Sequence, residues 1–428
     1  MVAMIGLLTV FVLIMLRVPV GVAMIGVGFL GFASIAGVRP AAFMTAQTAF
    51  STVNSYSLSV VPLFLLMGNL INRSRISADL YDAAHAAFGH FRGGLAQATI
   101  LACGGFAAIS GSSMATTASM GRVAYPSMRR YGYADILSTG SIAAGGTLGI
   151  LIPPSVVLLV YGILTETSIS KLFIAGILPG LLAVALYMLT IAVIARLRPD
   201  WGPAGARTDR AERRRKLARV WPVLALFALV MGGIYGGIFT PTEAAGVGAL
   251  GALLFALARR ALNWRSLFDT LTETAVTSAM IFFVIVGAMV LGNFLNIAGL
   301  PSMLGGLINA LDLSPFWVMV IICVIYVLLG MVLESMSMIL LTIPILFPIV
   351  VGLGYDPVWF GILIVMVVEL ALISPPIGLN VYVLRSVLPH VPLRTLFAGV
   401  FLFLVADLVK LVLVVLFPGI VLWLPSMM

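Results

Sequence analysis

The chain has 428 residues, 62% of them hydrophobic and only 9% charged, with a mean hydropathy of +1.18 and a net charge of +9. A soluble domain averages about 45–50% apolar and about 25% charged residues, so these charges are too few to cover a water-facing surface. A soluble globular enzyme, a disordered chain and a disulfide-stapled secreted domain are excluded; what remains is a polytopic membrane protein with spans of roughly 20 apolar residues.

Residues 1–16 read as a short first span. They lack the basic start and small-residue cleavage site of a signal peptide, and apolar sequence resumes at Pro19. Further apolar stretches fall at 19–37, 58–72, 92–109, 114–128, 135–166, 172–197, 220–239, 242–261, 277–298, 316–333, 336–351, 356–388 and 395–416. Two segments, 76–91 and 262–276, mix apolar and polar residues at helical spacing and each precedes a long apolar run. They read as helices lying along the membrane surface. The longest polar stretch, 196–219, holds nine Lys or Arg against Asp200, Asp209 and Glu212. It reads as a cytoplasmic loop obeying the positive-inside rule, with anionic lipid as the alternative partner. With that loop inside, Arg17, Arg73, Arg75, Arg92, Arg129, Arg130, Arg259, Arg260, Arg265, Arg385 and Arg394 also fall inside, and Arg39 and Lys171 outside. Both termini are then periplasmic. Charge sidedness is equally satisfied by two crossings or by a re-entrant hairpin at 92–128 and 316–351. The polar tips ISGSSMATTAS and LGMVLESMSM favour hairpins, because broken backbone is tolerated at membrane depth where it is buried in protein or lines a cavity.

Two cysteines in apolar stretches make no disulfide framework, and His85, His90 and His390 form no metal-ligand cluster with them. No basic stretch is interleaved with aromatics, so nucleic acid is not an expected partner.

The chain repeats itself. Displaced by 222 residues, Ser113 falls on Ser335, Met114 on Met336, Pro126 on Pro348, Gly132-Tyr133 on Gly354-Tyr355 and Pro153-Pro154 on Pro375-Pro376. With a slip of two, Gly68-Asn69-Leu70-Ile71-Asn72 matches Gly292-Asn293-Phe294-Leu295-Asn296. Each half reads as span, surface helix, hairpin with a polar tip, Gly-Tyr turn, and a long span broken by Pro-Pro. The first Gly-Tyr turn follows Arg129 and Arg130 and is inside; the second lacks basic residues and falls outside. The halves are thus inverted, which is a signature of secondary transporters that bind at the midplane where broken helices meet.

The breaks suggest what is bound. Proline removes a donor and clashes with the preceding turn, and the residue before it is pushed towards extended backbone. Between Gly145 and Ser155 carbonyls therefore lose their partners. With the Thr147 hydroxyl they offer hard oxygen ligands to a small cation such as Na+. The second break adds Glu369, Ser374 and Asn380. At the first tip Ser110, Ser112, Ser113, Thr116 and Thr117 supply hydroxyls, Gly111 allows close backbone approach, and a helix N-terminus attracts anionic groups. Packing of helices through small residues is the plainer account of such a stretch. Glu334, at the second tip, and Glu369 are intramembrane charges with either a site or a structural role. Asp407 and Lys410, three apart, can pair within the last span. Glu243 after Thr240-Pro241-Thr242 reads as a first-turn acid.

The motifs SGSSMATTASMG, YGY, AAGGTLGILIPPS, GGIYGGIFTPTEAAGVGAL, LESMSMILLTIPILFPI and SPPIGLNVYVL, taken together, resemble the large membrane subunit of tripartite ATP-independent periplasmic (TRAP) transporters, from about Arg17 to the last span. The resemblance implies an all-α polytopic fold of two inverted repeats and an elevator-type transporter in a bacterial or archaeal inner membrane. Expected partners are a separate small four-span membrane subunit, a periplasmic substrate-binding protein and an organic-anion substrate. Na+ is expected as coupling ion, and no other cofactor or catalytic residue. The implied division is N-terminal scaffold spans 1–75, a surface arm 76–91, transport elements 92–170, scaffold spans 171–261, a second arm 262–276, transport elements 277–390 and a C-terminal span 391–428. Carried over, Ser110–Thr116 with Gly146–Pro154 form one sodium clamshell, with Ser113, Gly146 and Thr147 as ligands. Glu334, Ser335 and Ser337 with Ser374, Pro375, Pro376 and Asn380 form the other, with Ser335, Ser374 and Asn380 as ligands. The second tip reads LESMS where the first reads GSSMA, so the two need not be equivalent. A stand-alone divalent-anion symporter or antiporter is the runner-up. A membrane enzyme lacks a nucleophile–base pair or metal set in the breaks; a passive channel would conduct without a sodium gradient.

Overall fold

The computed structural model describes residues 2–74 and 76–428, with only the backbone described at Asn309; Arg75 lies outside the described residues. The described chain is helical, with no strand among the described residues. Six helices are long and apolar enough to cross a membrane: Ile169–Leu197, Arg210–Tyr235, Pro241–Ala258, Trp264–Ile297, Ser335–Gly352 and Leu393–Leu416. A pair bent by 53°, Val38–Val53 with Tyr56–Arg73, makes up to seven. The apolar helices Gly94–Ser110, Pro315–Gly330 and Pro357–Ile373 have only 16 or 17 residues. At about 1.5 Å per residue they reach about 25 Å, short of a hydrocarbon core of about 30 Å.

The first hairpin pairs Gly94–Ser110 with Ser113–Arg130. Gly93 and Gly111, at φ +72° and +61°, stand at its entry and its tip, in left-handed conformations that a side chain would strain. The loop after Ile169–Leu197 is stitched to the hairpin's base. The Gly93 amide donates to the Gly202 carbonyl (2.8 Å), Ala134 to Trp201 (3.1 Å) and Gly205 to Gly89 (2.9 Å). Both ends of the hairpin therefore meet one short segment, at one end of the bundle. The following span is broken: Asp135–Thr147, a tight turn Leu148–Ile150, then Val156–Leu164. The second hairpin, Pro315–Gly330 with Ser335–Gly352, precedes a second broken span, Pro357–Ile373 with Leu379–Val387. Both Pro-Pro bonds are cis. The last span, Leu393–Leu416, lies backbone to backbone on the first broken span: a Cβ on Gly140 would sit 2.3 Å from the Gly399 carbonyl oxygen. Small residues permit such an approach.

One expectation is corrected. Residues 262–276 are not a separate surface arm. From Trp264 they run without interruption into the 34-residue helix Trp264–Ile297. No Gly or Pro interrupts the sequence before Gly287, and Asn263 and Ser266 form a capping box at its start. Thr270, Thr274 and Ser278 are buried, four apart on one helical face. Asn69 Nδ2 donates to Thr274 Oγ1 at 3.0 Å, so these polar residues face protein. The slip that aligns Asn69 with Asn293 sets 262–276 opposite Val38–Val53, which the hydropathy reading passed over because it is richer in Thr, Ser and Gln. The same displacement sets Ile76–Phe88 opposite the equally overlooked helix Leu300–Ala310, set off by Gly299 at φ +73°.

Candidate functional site

The first tip and the first break meet through their backbones. A Cβ on Gly149 would lie 2.5 Å from the Ser112 carbonyl oxygen, and one on Gly111 2.8 Å from the Pro154 carbonyl oxygen. Only glycine admits these approaches. At the tip Ser112 caps the second hairpin helix, accepting from the Ala115 amide at 3.3 Å. Thr116 Oγ1 donates to the Ser112 carbonyl at 2.7 Å and lies 3.1 Å from Ser110 Oγ. Ser155 caps the helix after the break and donates to the Ile150 carbonyl at 2.5 Å, so one carbonyl freed by the prolines is taken up locally.

Behind the tip, Thr117 stands directly over Gly146: a Cβ there would fall 1.9 Å from Thr117 Oγ1. Thr117 is fully buried, and its hydroxyl has no partner among the described residues. A buried hydroxyl is nearly always hydrogen-bonded. This one is held open at the junction of tip and break.

Asn380, expected with Ser335 and Ser374, is instead held at the first tip. Ser113 Oγ lies 2.9 Å from Asn380 Oδ1 and 2.7 Å from Nδ2, and Nδ2 also reaches the Ala143 carbonyl at 3.4 Å. The helix Leu379–Val387 packs on the second hairpin helix Ser113–Arg130, where a Cβ on Gly121 would lie 2.9 Å from Leu384. One site therefore draws on both halves, 267 residues apart in sequence. A repeat aligns like with like and does not reveal such a crossed contact.

Thr147 is buried, but its hydroxyl donates to the Ala144 carbonyl at 2.8 Å and faces the Tyr187 hydroxyl at 3.3 Å, a residue sequence reading missed.

At the second tip Glu334 caps its own helix: Oε1 accepts from the Ser337 amide at 2.9 Å and the Ser337 hydroxyl at 3.1 Å. A carboxylate there complements the positive end of the helix dipole. Gly330 sits against Ala371 of the second broken span, where a Cβ would be 2.4 Å away. Ser374 donates back to the Leu370 carbonyl at 2.6 Å, and Ser335 and Ser337 are buried. Gly378, at φ +55°, carries the chain past Pro375 and Pro376 so closely that its Cβ would lie 3.2 Å from the Ile373 and Ser374 carbonyl oxygens.

Glu369 lies not at the break but deep in the second broken span, facing Lys410 of the last span at 2.8 Å. Lys410 also binds Asp407 at 2.8 Å, so the pair expected in the last span forms and a third charge joins it. The Tyr187 hydroxyl donates to Asp407 at 2.6 Å. Glu243 takes the capping-box position at the start of Pro241–Ala258, accepting from the Thr240 amide at 2.8 Å. Among the described residues no group of three or more His, Cys, Asp or Glu is placed to hold a metal ion.

The family model for the DctM component of the tripartite ATP-independent periplasmic transporter matches residues 7–420. The C4-dicarboxylate TRAP transporter large permease of Pseudomonas aeruginosa is 39% identical over 88% of each chain. The sialic acid TRAP transporter large permease of Vibrio cholerae is 32% identical over 96% of this chain and 95% of that one. The 2,3-diketo-L-gulonate large permease of Escherichia coli is 33% identical over 86% and 88%. In fold the chain is similar to the Alcanivorax borkumensis YdaH transporter, with a TM-score of 0.65, 15% identity and 91% and 90% coverage.

Proposed function

The chain belongs to the DctM family, the large permease component of tripartite ATP-independent periplasmic transporters, and from that premise we propose that it imports an organic anion by sodium symport, with a separate four-span membrane subunit and a periplasmic binding protein. The relatives named above carry a C4-dicarboxylate, sialic acid and 2,3-diketo-L-gulonate. All three bear a carboxylate, so the substrate class proposed here is carboxylates, in an inner membrane.

The observation that carries the sodium reading is the Thr117 hydroxyl, buried and unpartnered over Gly146 where tip and break backbones touch. A small cation there would receive a side-chain oxygen together with break carbonyls, and Ser113–Asn380 would close the far side. Thr147 would contribute its carbonyl or the lone pairs of its hydroxyl, whose hydrogen goes to the Ala144 carbonyl. The second clamshell is built at Glu334–Ser337 and Ser374–Pro376, without Asn380. Glu334 serves it chiefly as the cap that holds the tip.

An elevator cycle fits the packing. The two tips and two broken spans interlock through Ser113–Asn380 and Gly330–Ala371, so they would travel as one body against the scaffold helices. The short first helix of each hairpin, about 25 Å long, and the polar tips support re-entrant hairpins in inverted repeats. The test is uptake of radiolabelled carboxylate into proteoliposomes with the small subunit and binding protein supplied. Uptake by this chain alone would favour the stand-alone symporter.

A further inference from the structure

The mechanism proposed above leaves unused the most deeply buried charges in the molecule. Glu369, Asp407 and Lys410 are 0%, 1% and 1% exposed. Lys410 Nζ lies 2.8 Å from Glu369 Oε2 and 2.8 Å from Asp407 Oδ1, and packs over the Tyr187 ring, 5.7 Å from its centroid. Among the described residues no further cation bonds the pair: Arg385 of Leu379–Val387, which also packs on this span, is bonded to the Val391 carbonyl instead. From Pro315–Gly330 comes Tyr326, bonded to Thr342; from Val156–Leu164 comes Tyr161, donating to the Pro357 carbonyl. From Ile169–Leu197 comes the neutral Tyr187.

Two carboxylates therefore share one ammonium group, a balance of minus one in a fully buried position. The two oxygens that Lys410 does not reach, Glu369 Oε1 and Asp407 Oδ2, are inaccessible and have no partner among the described residues. A buried charge left uncompensated is strongly unfavourable, as is a buried acceptor without a donor. One added positive charge would cancel the excess negative charge and give a bare oxygen its partner. We propose that Glu369, Asp407 and Lys410 form a binding site for one further monovalent cation, a proton or a sodium ion, separate from the site at the first tip.

The site is linked to the break. The single hydrogen of the Tyr187 hydroxyl goes to Asp407 and that of Thr147 to the Ala144 carbonyl, which leaves the two hydroxyl oxygens facing each other at 3.3 Å without a hydrogen between them. A cation that draws on Asp407 changes what Tyr187 offers Thr147, which sits at the end of the helix leading into the first break. The proposal does not rest on sodium binding over Gly146, and either can fail while the other stands.

The test uses the full-length chain in lipid nanodiscs at neutral pH, with sodium and with choline in its place. If the cation is a proton, infrared spectra show a buried carboxylic-acid carbonyl band in both buffers, and Glu369→Gln removes it. If it is sodium, no such band appears in sodium buffer, and Glu369→Gln lowers the bound sodium by about one ion per chain. Asp407→Asn removes the same excess charge and must repeat the loss, which keeps the test valid if Glu369→Gln does not fold. Lys410→Met, with two negative charges to balance, raises the count to two. The proposal is overturned if the wild type shows no protonated buried carboxyl and binds as much sodium as Glu369→Gln and Asp407→Asn.

Discussion

Thr117→Val separates the cost of the open hydroxyl from its use. The substitution keeps the volume and shape of the side chain and removes only the oxygen over Gly146. A buried hydroxyl without a partner costs about 1–3 kcal/mol. Without sodium, the valine protein should therefore be more stable than the wild type by about that amount. With sodium the order should shrink or reverse. A ligand at about 100 times its Kd stabilises the folded state by about 2.7 kcal/mol, and the variant should lose much of that gain. The assay is thermal unfolding of the purified chain in nanodiscs, followed across a sodium series at constant ionic strength with choline as the replacement. A variant less stable than wild type in choline, with an undiminished response to sodium, would refute the reasoning, because the hydroxyl would then be satisfied by protein and irrelevant to the ion.

Other outcomes follow from the same contacts. Gly146→Ala places a methyl 1.9 Å from Thr117 Oγ1, and overpacking of that kind costs about 1–3 kcal/mol; sodium-dependent stabilisation should vanish, and adding Thr117→Ala should recover stability but not the sodium response. Asn380→Ala strands the Ser113 hydroxyl at about 1–3 kcal/mol, and uptake should fall by more than protein abundance does, measured side by side in membranes. Glu334→Gln leaves a weaker acceptor for Ser337 and should cost under about 1 kcal/mol; sodium dependence should be retained, and its loss would make Glu334 a ligand rather than a cap.

The membrane class and the places where helices break were legible because they rest on composition and on Gly and Pro, which dictate backbone locally. The Pro-Pro breaks at 153 and 375 were readable for that reason. The second arm was misread because hydropathy cannot tell polar residues that face water from polar residues that face another helix. Thr274 bonds Asn69 across 205 residues, and no local signal marks it. Asn380 was assigned to its own half for a similar cause: a repeat pairs equivalent positions, whereas the fold crosses them. Tyr187 was invisible as a single tyrosine in an apolar 29-residue helix. Its role depends on Thr147 and Asp407, which lie 40 and 220 residues away.

The most direct measurement is carboxylate uptake into proteoliposomes that hold this chain with its small membrane subunit, with the binding protein added outside, in the presence and absence of an inward sodium gradient. The account predicts concentrative uptake only when the sodium gradient and both partners are present, and its loss in Gly146→Ala. Equal uptake without the gradient, or uptake by the chain alone, would contradict it.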